Sequence, residues 1–437
     1  MLSDLAEVPR TDWQNPTWVS PIPMDHSVTN GWRVAWRQAR LPHEDFNDKV
    51  TYFTWQALAK AVEPARPYLE EIPRLIGTKR YGSAVYDQGM EAAVETLRFM
   101  NLRAADKWLL RASLLAMREG DRATARQHAE ALLDLIRITE NERLMIIQLI
   151  RDAMGNRAVA LIWELLADKA WDDESLKRLQ ERCEAMRFVE PMIAAVEMER
   201  AMNVNEFHRY RTSDDAWDDA VASMNELESI MGSSSLGGFY RSRFHRFAWR
   251  LMWSDLDEHR ALVQWNVFVD VFRESVGSWG SKETRDRLKA LSSGETAWFG
   301  VIEESEELDF MDAARFLFSN SMSTSEYTLV RRSLQAEAMK NLACCGLALE
   351  RWRIRHGEYP DSLGKLDSLL DTKVMVDPLG AGAMKYRRND DGSYILYSCG
   401  LDGTDDGGDP TPEEEGADPF WNGRDMVWPG HSRTKQR

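Results

Sequence analysis

Cysteine is scarce in this chain, four in 437 residues, which excludes a disulfide-framed fold. Cys344 and Cys345 are adjacent within a helical pattern. With no CxxC spacing and no nearby histidine, they read as core residues rather than as a soft-metal or redox site. Long apolar runs are missing too. No segment approaches the ~18 consecutive apolar residues of a membrane span, and Met1-Leu2-Ser3-Asp4-Leu5-Ala6-Glu7 lacks the basic and apolar regions of a signal peptide. Positive charge is in deficit: 55 Lys plus Arg face 71 Asp plus Glu, a formal net charge of −16. That balance argues against a nucleic-acid backbone or an anionic membrane face as the main partner. Catalytic signatures are also wanting. The eight histidines form no HExxH pair, Gly380-Ala381-Gly382 lacks the Gly-Lys-Ser/Thr ending of a phosphate loop, and no Gly-x-Ser-x-Gly elbow occurs.

Apolar residues make up 43% of the chain, enough to bury the cores of two or three domains. Residues 1–30 are rich in Pro and Trp, poorly periodic, and read as an extended arm. From 31 to 231 the spacing predicts an α-helical array. Trp108, Leu109, Ala112 and Leu115 share one helical face, Arg118-Glu119-Gly120-Asp121 interrupts it, and Ala125, Ala129, Leu132 and Leu133 resume it. This is a helical hairpin in which Asp121 caps the second helix. Thr139 and Glu142 read as a capping box for a helix through Ile150, and further helices are expected at 157–168, 173–184 and 187–201. The Gly/Ser run from Gly232 to Gly238 separates a second helical segment, 239–325, within which 277–296 reads as a loop. The small residues Ala112, Ala125 and Ala129 give the hairpin a weak resemblance to tetratricopeptide-like repeats, without a clean 34-residue period.

Residues 328–355 read as one long helix with an apolar stripe at Leu334, Ala338, Leu342, Cys345, Leu349 and Trp352, ended by His356-Gly357 and Pro360. Two strands are expected after it, 384–388 and 393–399, joined by the turn Asn389-Asp390-Asp391-Gly392. The second strand opens into Gly400-Leu401-Asp402-Gly403-Thr404-Asp405-Asp406-Gly407-Gly408-Asp409. Carboxylates packed this closely repel unless a hard cation collects their oxygens, and the glycines permit the tight backbone that such a site needs. Asp402, Thr404, Asp406, Gly407 and Glu413 fall at positions 1, 3, 5, 6 and 12 of an EF-hand-like loop. A strand rather than a helix precedes it, and Asp409 sits at the usually apolar position 8, so the reading is a calcium loop outside an EF-hand.

The order of these elements, a helix ending Arg355-His356-Gly357-Glu358-Tyr359-Pro360, then Asp377-Pro378, a hairpin, Ser398-Cys399-Gly400-Leu401-Asp402-Gly403 and finally Asp425-Met426-Val427-Trp428, resembles the globular part of the major, G-type pseudopilin of type II secretion systems. The resemblance covers about residues 330–429, within a C-terminal domain expected at 328–430. It implies a small α+β domain with a structural calcium ion held by Asp402 and Asp425, to which this loop adds Asp405, Asp406 and Asp409. About 330 residues stand where that family has its N-terminal membrane anchor.

The fold expected is therefore mainly α, an irregular, repeat-like helical array followed by a small pseudopilin-like α+β domain. The function expected is a non-enzymatic cell-envelope or surface scaffold that binds a protein partner, located outside the cytoplasm in the periplasm or at the cell surface. An anchor or export signal upstream of these residues would complete that picture. The competing expectation is a carbohydrate-active enzyme or lectin that uses some of the seventeen tryptophans and acidic pairs such as Asp214-Asp215 and Asp218-Asp219. Helical spacing of Trp108, Trp163, Trp249, Trp253 and Trp352 favours packing over sugar stacking, and Asp before a helix is more simply a cap.

Overall fold

The computed structural model describes residues 59, 62–78, 99–231, 243–293, 315–320, 326–380, 382–411 and 423–428. The arm expected at 1–30 and the Gly/Ser run lie outside these. The helices are α1 (Arg66–Thr78), α2 (Phe99–Glu119), α3 (Arg122–Ile138), α4 (Met145–Ala167), α5 (Asp173–Glu184), α6 (Val189–Thr212), α7 (Asp214–Met231), α8 (Arg243–Ala248), α9 (Ser254–Ser275), α10 (Lys282–Ser293), α11 (Leu317–Asn320) and α12 (Glu326–His356). A π-helical turn, Trp249–Trp253, joins α8 to α9. Three short strands follow, β1 (Lys385–Arg388), β2 (Tyr394–Ser398) and β3 (Met426–Trp428). The molecule is thus mainly helical with a small antiparallel sheet near its C-terminal end. Among the described residues no helix is long and apolar enough to cross a membrane.

The α2–α3 hairpin forms as its sequence dictates. Gly120 takes the left-handed conformation at φ +83°, and Asp121 caps α3 by accepting from the Thr124 amide at 3.0 Å. Ala112 and Ala125 are buried where the helices approach, and the Ser113 hydroxyl donates across the gap to the Ala125 carbonyl at 2.7 Å.

Four local expectations are corrected. The capping box at Thr139 does not form: its hydroxyl turns back to donate to the Ile136 carbonyl at 3.0 Å, closing α3 instead of opening α4. The first amide of α4, on Met145, is instead accepted by Glu199 of α6 at 2.7 Å, a tertiary cap that no local pattern encodes. The helix expected through Ile150 and the one expected at 157–168 are a single helix, because Gly155 is held in helical conformation under the Phe188 ring, where a Cβ would lie 2.4 Å from Cζ. The helix expected at 187–201 runs on to Thr212, and the loop expected at 277–296 contains α10, which packs on α12.

The long helix α12 departs from its expected stripe. From Ala336 to Arg351 nearly every residue is buried, because α4 and α5 cover one side of the helix while β2 and β3 cover another. A helix enclosed this way needs apolar or paired residues all round, and it has them. Ala343, Gly346 and Leu347 lie between the residues of the stripe, and Glu350 pairs with Lys169 at 2.8 Å and accepts from Tyr359. Gly357, at φ +83°, ends the helix, its amide donating to the Arg353 carbonyl at 2.8 Å. Two 3₁₀ turns, Leu363–Ser368 and Thr372–Met375, lead to the sheet.

The sheet has the order β1-β2-β3, with Tyr386 opposite Leu396 and Leu396 opposite Trp428. Tyr394, Leu396 and Ser398 of β2, with Met426 and Trp428 of β3, face inward. Trp428 reaches Trp163 of α4, ring centroids 6.3 Å apart, and covers Gly346 of α12. One continuous apolar core accordingly runs from Val62 to Trp428. A smaller aromatic cluster joins Phe207, Trp217, Trp249 and Phe318.

Two predictions follow from this packing. A Cβ on Gly346 would sit 2.6 Å from the Trp428 indole, so Gly346→Ala should destabilise despite the roughly 1 kcal/mol that Ala gains over Gly in a helix. The expected net loss is about 1–2 kcal/mol in urea denaturation, and a stabilised variant would refute the fit described here. Asp152 of α4 is buried beside α12, with Oδ2 accepting from Ser333 at 3.1 Å and Oδ1 without a hydrogen-bond partner among the described residues. Burial pushes its pKa up to about 7, against about 4 in an unfolded chain. The stability this group contributes is therefore fully present below about pH 4 and is lost as pH rises to about 7. The stability difference between Asp152→Asn and wild type should grow across that window in favour of the variant, levelling at roughly 2–4 kcal/mol above pH 7.

Candidate functional site: the acidic loop beside the last strand

The loop from Gly400 to Thr411 is pinned at both ends by backbone chemistry. Gly400, at φ +67°, passes so close to the next segment that a Cβ would lie 1.9 Å from the Arg424 carbonyl oxygen; no other residue fits. The Leu401 carbonyl accepts from the indole of Trp279, which is buried in the turn between α9 and α10, at 3.0 Å. At the far end the Asp425 amide donates to the Asp409 carbonyl at 2.9 Å, and the Arg424 amide to Thr411 at 3.0 Å. Between these ends Gly407 and Gly408 are both left-handed, which turns two successive amides toward one point. Asp425 stands there. Its Oδ2 accepts from Gly408 at 2.7 Å and from Asp409 at 3.2 Å.

The five expected carboxylates meet different fates. Asp402 accepts from the Thr404 amide at 3.0 Å, within its own turn. Asp405 accepts from the Tyr397 hydroxyl at 2.9 Å and the Gly407 amide, with Lys385 3.6 Å away; the amide, the hydroxyl and then the ammonium hold its pKa below the usual carboxylate range. Asp409 accepts from Thr411, which depresses its pKa, and lies 3.8 Å from Arg424. Asp406 is exposed, and its charge acts on Asp425. Asp425 alone is fully buried, and burial together with that like charge raises its pKa. Its second oxygen, Oδ1, has no hydrogen-bond donor among the described residues.

The loop therefore gathers around Asp425, with Asp406 closest to it electrically, while Asp402, Asp405 and Asp409 are each engaged locally. No group of three or more His, Cys, Asp or Glu among the described residues is spaced to hold a metal ion by itself. Glu413 lies outside those residues. A hard cation nonetheless suits the donors at hand, which are carboxylates and loop carbonyls without a thiolate or imidazole, and a buried oxygen lacking a donor is what such an ion satisfies.

Sequence reasoning passed over Asp377, reading it only as part of an Asp-Pro turn. It is the hub that sets the start of the loop. Buried, it accepts from the Leu379 amide at 3.0 Å, the Ser398 hydroxyl at 2.7 Å and the Cys399 amide at 2.9 Å. The only local hint was the aspartate two residues before an amide it could cap. Trp279 was missed as well, since nothing in a Gly-Ser-Trp-Gly turn names a partner 122 residues away.

Elsewhere, a polar cleft of about 420 Å³ lies between α5 and the end of α12, but Arg351 and Arg355 there are already paired with Asp173. Trp108, Trp163, Trp217, Trp249, Trp279 and Trp428 are buried, which puts their ring faces beyond reach of a sugar. Asp214 and Asp218 face Arg246 and Arg250 rather than a cleft. Comparison with protein-family models, curated proteins and solved structures returned no match.

Replacing Asp377 by Ala should leave the buried Leu379 and Cys399 amides unsatisfied. The expected cost is about 2–4 kcal/mol in urea denaturation, with Asp377→Asn retaining much of the stability. An Ala variant as stable as wild type would show that the loop is set by something else.

Proposed function

We propose that this protein is a non-enzymatic scaffold whose C-terminal sheet is locked by a structural calcium ion at the acidic loop. The observation that carries the reading is the buried Oδ1 of Asp425, a carboxylate oxygen enclosed without a donor beside the exposed carboxylate of Asp406. Backbone amides alone, those of Gly408, Asp406 and Asp409, leave a buried carboxylate costly to ionise, and the remedies open to this site are a proton or a cation. The order of helix, hairpin, Asp-Gly loop and late Asp that resembles the major pseudopilin supports the cation. Asp425 and Asp406 would hold the ion with loop carbonyls, and Asp402 would join by releasing the Thr404 amide. The ion would tie the loop to the start of β3 and through it to the Trp428 anchor. Such a site is filled where calcium is millimolar, which favours a role outside the cytoplasm, and the helical body would then serve as the partner-binding scaffold.

The test separates charge from shape. Asp425→Asn keeps an acceptor for the Gly408 and Asp409 amides but removes the buried charge. In chelator the variant should melt no lower than wild type, because it sheds an unpaired charge. In 5 mM calcium, wild type should gain a few degrees, corresponding to about 2.7 kcal/mol when the ion is at one hundred times its dissociation constant, and the variant should gain nothing. A wild-type melting curve indifferent to calcium and to chelator would end this reading.

A further inference from the structure

The polar cleft between α5 and the end of α12 is built around one buried amide. Gln180 of α5 is 2% exposed, and both ends of its side chain are engaged: Oε1 accepts from Nη1 of Arg351 at 2.9 Å, while Nε2 donates to Glu184 at 2.5 Å and to the Leu369 carbonyl at 2.6 Å. The amide thus stands between a guanidinium and a carboxylate. Followed through the two hydrogen bonds and the amide that separates them, these opposite charges lie at most about 8 Å apart. Both line the cleft.

Each keeps bonding capacity that the protein does not use. Arg351, 5% exposed, gives Nε to Asp173 and Nη1 to Gln180, and its Nη2 makes no hydrogen bond among the described residues. Asp173 is moreover shared, because Arg355 donates to it at 2.6 Å, so two guanidiniums divide one carboxylate. On the other side, Glu184 accepts a hydrogen bond from Gln180 and has no ion-pair partner among the described residues. Its position is poor for a lone carboxylate. Glu184 is the last residue of α5, where the helix dipole already places negative charge; burial above all, with added like charge from Asp371, raises its pKa. A side chain that breaks a local rule in this way, with no gain to the fold, marks a place kept for another purpose.

The gap between the two groups indicates what fits it. A carboxylate on Nη2 of Arg351 and an ammonium on Glu184, each at ordinary hydrogen-bond length, close a gap of this size when one carbon carries both, as in an α-amino acid. The remaining wall sets the side chain. Four carboxylates and three cations line the cleft, an excess of one negative charge, and Lys177 stands 3.9 Å from both Glu174 and Glu181, at the limit of ion pairing. A second cation on the ligand would balance the site. The volume of about 420 Å³ lies in the range of small-molecule pockets.

We propose that this cleft binds a basic α-amino acid, its carboxylate on Arg351, its ammonium on Glu184 and its side-chain cation toward Glu174 and Glu181. Gln180 is the positioning residue, since it sets the separation of the two groups that recognise the backbone of the ligand. The site owes nothing to the acidic loop.

Isothermal titration calorimetry of the full chain with L-arginine and with L-lysine, in calcium and in chelator alike, tests this apart from the metal. At least one of them should bind at one site per chain with a dissociation constant of roughly 10 µM to 1 mM, as suits a ligand of this size. Agmatine, which lacks the carboxylate, and L-norleucine, which lacks the side-chain cation, should each bind about tenfold more weakly or worse. Glu184→Gln keeps an acceptor for Gln180 but removes the charge. It should weaken binding about tenfold while melting no lower than wild type, a combination that a merely structural carboxylate does not give. Wild type that binds neither amino acid at about 10 mM overturns the proposal. So does agmatine or norleucine binding as tightly as the basic amino acid, or a Glu184→Gln variant that binds undiminished or melts below wild type.

Discussion

The Trp428 indole resting on Gly346 is the contact on which the rest of the C-terminal structure depends. A helix buried on several sides cannot accept a tryptophan against its axis unless one position lacks a Cβ, and α12 supplies that position midway along its length. The indole also meets Trp163, so a single side chain joins the last strand to both the long helix and the helical body. Fully burying an aromatic of this size contributes about 3 kcal/mol or more, far beyond what a three-residue strand gains from its own pairing. Strand β3 is therefore held by its side chain first and its hydrogen bonds second. Since β3 begins next to Asp425, the acidic loop takes its position from the same contact.

Polar groups inside the body are placed where two helices must agree on a register. Arg151 of α4 is buried and donates to the Ile136 and Arg187 carbonyls, tying three segments together, and its own pKa is lowered to about 10 by that burial. Glu350 plays the corresponding part on α12, accepting from Lys169 on one side and Tyr359 on the other. Such groups add little net stability but penalise every alternative packing in which they lose a partner.

The loop shows how an acidic sequence can be folded without losing its charge. Asp405 and Asp409 are met by nearby amides, hydroxyls or cations, which favours their ionised forms, whereas Asp425 is enclosed and opposes its amide contacts with desolvation. Density of carboxylates in the sequence did not translate into convergence of carboxylates in space. What converged was backbone, through the paired left-handed glycines, on one buried carboxylate oxygen, Oδ2 of Asp425.

Much of the fold was legible from local chemistry. The α2–α3 hairpin with its Asp121 cap, the extent of α12 and its Gly357 stop, and the β1–β2 hairpin over Asp-Gly all follow from short-range rules, because caps, turns and periodicity act between residues a few positions apart. The sequence also set the acidic loop and Asp425 side by side as candidates for one site, and the structure brings them together through the Gly408 and Asp409 amides. Other features required the tertiary structure: Glu199 capping α4, Phe188 keeping Gly155 helical, Trp279 and Asp377 fixing the loop, and the burial of α12 on more than its stripe. Each of these is one partner's answer to another far along the chain. A residue's type determines which bonds it can make, but only packing determines which donor or ring arrives to make them, and whether water is left to take their place.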